Sequence, residues 1–359
     1  MLTRNTHEDY QRLTTLLRGS RRVVIACHLS PDGDALGSSL GLREVLLRIN
    51  PAVDVRVVTP DEPTKSLSFL PGFDRLMPYT RYRGVVESTM KRADLFIALD
   101  FNAPSRTDLL APVIEKATCT KILIDHHLDP ADFTDLMFSY PESSSTCYLL
   151  FRLLEKCGLG SFITPQAADC FLTGMMTDTG NFSYNIVDPE IFQAIGRLIE
   201  YGADKGRLDK LLFRTSTESS LRIQGYALAD KMEVFKDYNA ALVTLTRDEL
   251  NRFGYVRGDT EGLVNKPLEI PGVLYSAFLR EEETYIKVSM RSVGDFPVST
   301  LCSEHFGGGG HLNAAGGEFD GTMEECVTLF KSLLEENKIR FIEPSTSLAD
   351  ILKDELQRK

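Results

Sequence analysis

Short apolar runs alternate with longer amphipathic segments through the first half of the chain. Four runs have the length of a β-strand: residues 23–28, 53–59, 94–100 and 119–125. Three further segments space their apolar side chains as a helix does: residues 37–49, 145–157 and 165–176. Strands that alternate with helices favour a mostly parallel sheet with helices on both of its faces. This pattern predicts an N-terminal α/β domain over residues 1–188.

The pattern changes after this domain. Asp188 and Pro189 are residue types that favour the N-cap and the first position of a helix, and the spacing then stays helical. Residues 189–231 are therefore predicted to form a helical connector. Further on, strands are predicted at residues 240–245, 272–279 and 285–291, and helices at 297–305 and 323–336. We expect a smaller C-terminal α+β domain over residues 232–343 and a polar tail over 344–359.

Composition is that of a soluble globular protein, with 43% apolar and 25% charged residues among 359. The net charge of −11 repels long nucleic acid, so a phosphate ligand would need a locally positive pocket. The seven cysteines show no CxxC pair, which argues against a disulfide framework and for a reducing compartment. We see no apolar run of a signal peptide or a membrane span, so a cytoplasmic protein without a membrane partner is expected.

Acidic and imidazole side chains stand at the ends of the apolar segments. They are His28, Asp32, Asp34, Asp100, Asp125, His126, His127 and Asp178. Each is ambiguous by itself, because a Pro-Asp-Gly sequence is usually a turn and a single His usually a structural residue. Ligands bind at the carboxyl ends of strands in open α/β sheets, where these groups would gather. Together they favour a site for two divalent ions such as Mn²⁺ or Mg²⁺, and not a thiolate zinc site.

A run of four glycines, residues 307–310, precedes His311 in the second domain. Without side chains, their N–H groups can approach an anion closely, and a helix starting near Leu312 would add its positive end. The alternative is a flexible linker, but linkers are usually mixed with Ser and followed by polar sequence. Arg291 ends a predicted strand and is either a phosphate ligand or a solvated surface residue. We therefore predict a phosphate-binding loop.

These motifs resemble those of the DHH phosphoesterases and their DHH-associated C-terminal domain. Asp125-His126-His127 carries the signature, and the other matching segments are residues 27–38, 99–102, 176–182, 289–292 and 307–311. The resemblance implies two Mn²⁺ ions per chain, with Mg²⁺ or Co²⁺ as substitutes. It implies one ion on His28, Asp32 and Asp100, and the other on Asp34, Asp100, His126 and Asp178. The implied catalytic residues are His127, Asp100 and Asp125, and the implied substrate-binding residues are Arg291, Ser292, Gly308, Gly309, Gly310 and His311.

Within this family, the size and layout resemble the group of nanoRNases and 3′-phosphoadenosine 5′-phosphate (pAp) phosphatases. The expected reaction is hydrolysis by a hydroxide activated between two metal ions, with His127 facing the scissile phosphate. Expected substrates are short oligoribonucleotides and pAp, held by both domains, and a homodimer is compatible with the sequence. The alternatives are a phosphodiesterase for pApA or cyclic di-AMP, an exopolyphosphatase and, least favoured, a nucleotide-binding regulator without turnover.

Overall fold

The computed structural model describes residue 2, residues 4–184, residue 186 and residues 188–341, except the side chains of residues 311, 339 and 341. The predicted tail, residues 344–359, lies outside the described part. The chain divides into two compact units, Met1–Thr215 and Ser216–Lys359. This division falls inside the segment that the sequence predicts as a helical connector. Some helices of that segment therefore belong to the first unit and the others to the second.

Unit 1 contains a sheet of six strands, and every neighbouring pair is parallel. The strands are β1 (Arg22–Ala26), β2 (Asp54–Thr59), β3 (Met77–Pro78), β4 (Leu95–Leu99), β5 (Thr120–Asp125) and β6 (Leu136–Ser139). Their order across the sheet is β3-β2-β1-β4-β5-β6. The chain therefore reverses its direction of progress next to β1 and β4, which is the position where open α/β sheets bind ligands.

Helices cover both faces of this sheet. They are α1 (His7–Gly19), α2 (Gly33–Ile49), α3 (Tyr79–Arg92), α4 (Ala111–Lys116), α5 (Thr146–Lys156), α6 (Pro165–Asp178), α7 (Glu190–Glu200) and α8 (Lys205–Phe213). Alternate residues of β1 enter different cores: Ile25 packs with α1, α2, α5 and α6, whereas Val24 packs with α3 and α4. Burial of one such side chain stabilises the fold by roughly 1.5–3 kcal/mol. The predicted parallel sheet with helices on both faces is confirmed.

Unit 2 is built on a second six-stranded sheet, in the order β11-β12-β10-β9-β8-β7. Its elements are α9 (Glu218–Tyr226), β7 (Met232–Phe235), β8 (Ala240–Leu245), α10 (Arg247–Arg252), β9 (Tyr275–Glu281), β10 (Ile286–Ser292), α11 (Val298–His305), β11 (Gly309–His311), β12 (Ala314–Phe319), α12 (Met323–Ser332) and α13 (Leu334–Phe341). β8 and β9 are parallel and the other pairs are antiparallel. The predicted smaller α+β domain is present, and β9 and β10 form an antiparallel pair within it.

The helix predicted to begin near Leu312 is wrong. β11 and β12 form a hairpin here instead, with Gly309 opposite Gly316 and Gly310 opposite Ala315. The sequence also gives no signal for β3, β6 and β7, which have two to four residues each at or near a sheet edge. Strands this short hold too few side chains for an alternating pattern to be visible.

None of the helices in the described residues combines the length and the apolar character that crossing a membrane would require.

Candidate active site

Side chains from several chain segments of unit 1 meet at the carboxyl edge of its parallel sheet. His28 follows β1, Asp100 follows β4, and Asp125 is the last residue of β5. The other groups come from α2, which begins just after Asp32, from the loop after β5, and from Asp178 at the end of α6. All six side chains predicted as metal ligands lie in three overlapping groups, and the ligand atoms within each group are within 4.8 Å of one another. The groups are His28 with Asp32 and Asp100, Asp34 with His126 and Asp178, and Asp100 with His126 and His127.

Asp100 occupies the centre of this cluster. One carboxylate oxygen, Oδ2, lies 3.4 Å from His28 Nε2, and the other, Oδ1, lies 3.5 Å from His126 Nε2. The hydroxyl of Thr146 donates to Oδ1 at 3.0 Å. The residue is buried and has a φ of +64°, a left-handed conformation that an aspartate tolerates better than most residues. Asp100 is therefore placed to serve both halves of the site.

Asp34 is held rigidly at the start of α5. Its two carboxylate oxygens accept hydrogen bonds from the backbone N–H groups of Thr146 (2.6 Å) and Cys147 (2.8 Å). This is the positive end of the helix, where a carboxylate is stabilised. Its neighbour Asp32 is different, because one of its oxygens caps α2 and its side chain is 57% exposed. The site thus combines a fixed carboxylate with a solvent-facing one.

The imidazole rings of His28 and His126 have the same hydrogen-bonding pattern. Nδ1 of His28 lies 2.8 Å from the carbonyl of Leu29, and Nδ1 of His126 lies 3.1 Å from the carbonyl of Ser143. A carbonyl only accepts hydrogen bonds, so Nδ1 carries the proton in both rings. Nε2 is then the atom directed at the carboxylates, Asp100 in both cases. This arrangement is typical of histidines that ligate a metal through Nε2.

His127 is oriented differently from the other two. Its Nδ1 lies 2.8 Å from Oδ1 of the buried Asp125, and its backbone N–H donates to Oδ2 of the same residue at 3.1 Å. Nδ1 is also 3.9 Å from Asp100, but it would have to release Asp125 before it could bind a metal there. Asp125 therefore fixes the ring and leaves Nε2 for another partner.

Charge in the cluster is strongly unbalanced. Burial and the nearby carboxylates, Asp100 among them, raise the pKa of Asp34 and of Asp178. Burial opposes ionisation of Asp100 as well, but a hydrogen bond with His28 and the neighbouring imidazoles lower its pKa to about 2. For His28, hydrogen bonds to Asp100 and Asp32 outweigh burial and raise its pKa to about 11.

Protons thus supply the positive charge that these carboxylates require. The donor set is made of carboxylate oxygens and imidazole nitrogens, with no thiolate in the three groups. Such donors suit Mg²⁺, Mn²⁺ and similar divalent ions, which would bind in exchange for the protons. The residues present therefore fit a divalent metal site.

The segment from Ser143 to Thr146 is not among the predicted site residues, yet it contributes three contacts to the site. They are the carbonyl of Ser143, the hydroxyl of Thr146 and its backbone N–H. The available signal was the N-cap: Ser145 accepts from the N–H of Tyr148 at 3.0 Å and begins α5. Nothing in the sequence says that this helix start faces residues more than forty positions earlier in the chain.

In unit 2, the predicted substrate-binding residues lie at one end of the sheet. Arg291 is half-buried near the end of β10, and its Nη1 donates to the carbonyl of Met290 at 2.9 Å. The hydroxyl of Ser292 is already engaged, since it donates to Phe296 and accepts from Asn313. His311 ends β11, and its side chain lies outside the described part. The hydroxyl of Ser292 therefore stabilises this loop, and its predicted role in substrate binding has no support from these contacts.

Two of the glycines in the run are required by packing. A Cβ on Gly308 would clash with the carbonyl oxygen of Gly316, and one on Gly310 would clash with that of Ala314. Gly310 also has a φ of +151°. A Cβ on Gly309, by contrast, would meet no atom within 4 Å. Among Gly308, Gly309 and Gly310, the packing of the hairpin therefore explains the lack of a side chain at all positions except Gly309.

We expect Gly308→Ala and Gly309→Ala to differ sharply. Gly308→Ala should lower the free energy of unfolding by about 1–3 kcal/mol, because the backbone must move to relieve the clash. Gly309→Ala should change it by less than about 0.5 kcal/mol. Denaturant titration of the full chain measures both. Equal destabilisation by Gly309→Ala and Gly308→Ala would contradict the open space that the structure shows beside Gly309.

Comparisons with known proteins agree with this geometry. The model of the DHH family, N-terminal domain, matches residues 22–175, and that of the DHHA1 domain matches residues 239–337. The bifunctional oligoribonuclease and PAP phosphatase NrnA of Thermus thermophilus is 33% identical over 300 residues, which are 83% of this chain and 84% of the relative. The cyclic-di-AMP phosphodiesterase PdeA of Listeria monocytogenes is 28% identical over 330 residues, 88% of this chain and 48% of the relative.

A solved structure extends the similarity to the whole fold. The crystal structure of an exopolyphosphatase-related protein from Bacteroides fragilis superposes with a TM-score of 0.87 at 43% identity, covering 96% of this chain and all of that one. Fold and site together define a metal-dependent phosphoesterase. The chain belongs to the DHH family, carries its DHHA1 domain, and is of the NrnA type.

Proposed function

We propose that the protein hydrolyses short oligoribonucleotides to 5′-mononucleotides and removes the 3′-phosphate of pAp. The observation that carries the proposal is the central position of Asp100 between the Nε2 atoms of His28 and His126. The similarity to a bifunctional oligoribonuclease and PAP phosphatase over 83% of the chain supports these two substrates. The net charge of −11 supports short substrates, because binding to long nucleic acid depends on many Lys and Arg contacts.

We propose two Mn²⁺ ions as the cofactor. His28, Asp32 and Asp100 would hold one ion, and Asp34, Asp100, His126 and Asp178 the other, with Asp100 shared. When bound, such a pair supplies an activated water and neutralises charge on the phosphoryl oxygens. The carboxylates alone would repel a phosphate, so substrate binding at this edge of the sheet depends on occupied sites.

His127 and Asp125 carry the part of the chemistry that belongs to the chain itself. Asp125 accepts a hydrogen bond from the Nδ1–H of His127, and this fixes the tautomer and the direction of the ring. Nε2 then remains available to hydrogen-bond a phosphoryl oxygen or to pass a proton to the leaving oxygen. Thr146 holds Asp100 through its hydroxyl and keeps that carboxylate in place.

We propose that unit 2 contributes to substrate binding, through Arg291, the open edge at Gly309, and His311. Arg291→Ala should raise KM for pAp and for short RNA, so that kcat/KM falls roughly ten- to a hundredfold, because a charged hydrogen bond of about 1.5–3 kcal/mol is lost. Steady-state kinetics on both substrates measures this. Metal content should not change.

Lys287→Ala is the matched control, since Lys287 is exposed on the same strand, β10, and on the same face as Arg291. It should leave KM within about twofold. Hydrolysis of bis-p-nitrophenyl phosphate, a small ester that needs little beyond the catalytic centre, should change far less than hydrolysis of pAp. Equal losses on both substrates would mean that Arg291 supports the catalytic centre and not substrate binding.

A side-by-side assay tests the function as a whole. Di- to decaribonucleotides, pAp, pApA and cyclic di-AMP are incubated with the full chain and Mn²⁺, and products are separated by chromatography. Release of 5′-mononucleotides from the shortest RNAs and of AMP from pAp is expected. The similarity to a cyclic-di-AMP phosphodiesterase makes dinucleotides the second candidate. Faster turnover of cyclic di-AMP than of both expected substrates would replace the proposal with that candidate.

A further inference from the structure

A groove of about 450 Å³ lies between α3 and α4 of unit 1. This volume is within the range of pockets that hold small ligands. Its lining includes five apolar side chains, those of Met90, Leu109, Pro112, Val113 and Ala117. The groove belongs to the α3 and α4 side of the sheet, whereas α2, α5 and α6, which contribute Asp34, Thr146 and Asp178 to the candidate active site, pack on the other side. It is thus a separate concave surface with an apolar part.

Three of the four charged side chains around the groove are basic. Arg83 and Glu87 form an ion pair at 3.3 Å, and the hydroxyl of Tyr79 bonds to both. Lys91 and Lys116 also line the groove, and neither has an ion-pair partner within the described ranges of the chain. Since Glu87 balances Arg83, a local charge of about +2 remains in a chain of net charge −11. This charge matches a phosphate monoester, which carries about −1.5 to −2 at neutral pH.

One residue of the lining is presented by a strained backbone. Leu109 is 54% exposed, whereas Thr107 and Leu110 on either side are fully buried. Between them, Asp108 has φ +47° and ψ −120°, a conformation that costs of order 1–3 kcal/mol in a residue other than glycine. The buried neighbours keep Asp108 in this conformation and direct Leu109 outwards. Such strain persists where the surrounding structure fixes it, and it is common at ligand sites.

The same segment touches the loop of a predicted metal ligand. It is a short 3-10 helix, Pro104–Leu110, and the carbonyl of Arg106 accepts the N–H of Leu29 at 2.9 Å. The carbonyl of Leu29 in turn accepts a hydrogen bond from the Nδ1–H of His28 at 2.8 Å. Because these two hydrogen bonds connect the segment with His28, a shift of the segment at Leu109 would change the orientation of the His28 ring.

We propose that this groove binds a nucleoside monophosphate and that binding alters the active site through the Pro104–Leu110 segment. The phosphate lies against Lys91 and Lys116, and the base and ribose cover Leu109 and Val113. The ligand is then a product of the reaction and acts as a feedback effector. That last step rests on the proposed function, whereas the binding site itself does not.

Binding is tested on the full chain freed of divalent metal with EDTA, by calorimetric titration with AMP, adenosine and inorganic phosphate. The groove variant is Lys91→Glu with Lys116→Glu. The control is Arg92→Glu with Arg48→Glu, two exposed residues outside the groove with the same change in net charge. AMP should bind the groove variant at least about tenfold more weakly than the natural chain or the control. Equal affinities of the two variants for AMP would overturn the site.

The separate ligands test the chemistry of the occupant. Adenosine and phosphate should each bind more weakly than AMP, because each uses only part of the groove. Phosphate that binds as tightly as AMP would show that the apolar side chains take no part, and the proposed ligand class would be wrong.

Coupling is tested with bis-p-nitrophenyl phosphate as substrate. Saturating AMP should change kcat of the natural chain at least about fivefold, in addition to competing at the active site. Leu109→Ala and the groove variant should keep the competition and lose the change in kcat. A change in kcat that persists in both variants would overturn the coupling. Failure to hydrolyse pAp or RNA would contradict the proposed function and leave the binding result standing.

Discussion

Asp100→Ala should lower kcat for phosphoester hydrolysis by about 10³-fold or more and should reduce the bound metal. The carboxylate lies between the Nε2 atoms of His28 and His126 and accepts from Thr146, so its removal disturbs both halves of the site at once. Loss of a shared ligand removes several kcal/mol of transition-state stabilisation, and each 1.4 kcal/mol is a factor of ten. Steady-state kinetics and elemental analysis of the dialysed protein measure the two effects.

Two further variants isolate the role of the carboxylate charge. Asp100→Asn keeps the shape of the side chain and tolerates the left-handed backbone at this position, so its expected inactivity cannot be ascribed to backbone strain. Asp132→Ala removes an exposed carboxylate of the same unit and should behave like the natural chain. The assignment of Asp100 as a shared ligand would have to be withdrawn if Asp100→Asn kept most of its activity with two ions per chain.

His127→Ala should lower kcat by about 10²- to 10⁴-fold while the metal content stays unchanged. The reason lies in the ring orientation: Nδ1 is held by Asp125, and Nε2 is left for the substrate. Because the lost contact is made with the reacting phosphate, KM should change less than kcat. Kinetics on pAp, together with elemental analysis of the variant, measures both quantities.

The adjacent residue provides the comparison. His126→Ala should lose metal, since its Nε2 lies 3.5 Å from both Asp100 and Asp178. Asp125→Asn should resemble His127→Ala in a milder form, because the amide no longer fixes the tautomer of the ring. If His127→Ala lost metal and His126→Ala kept it, the roles of the two histidines would be exchanged.

The side chains predicted as metal ligands lie together at one edge of the sheet, for a physical reason. Each predicted ligand stands next to a recognisable apolar segment, and parallel strands bring their carboxyl ends to one edge. The contacts of Thr146 were not among the predictions. They depend on where the start of α5 lies in space, and Asp34, which binds two of its N–H groups, is 112 residues earlier than Thr146.

In the fold too, features set by neighbouring residues were predictable, whereas features set by contacts between distant residues were not. The buried strand β4 was visible as a continuous apolar run. The helix expected after the glycine run was wrong because the small residues Ala314 and Ala315 belong to β12, where they pair with β10. A helix and an edge hairpin are both compatible with such a sequence, and the neighbouring strand decides between them.

The glycine run consists of positions under different selection. Gly308 and Gly310 are constrained by the hairpin, so mutation there is penalised whether or not the protein binds a ligand. Gly309 has no such constraint, and only a function in binding would prevent its drift to alanine or serine. A descendant that had lost its substrate would keep two of these three glycines. In related proteins, the residue that corresponds to Gly309 is therefore a better sign of retained binding than the presence of the whole glycine run.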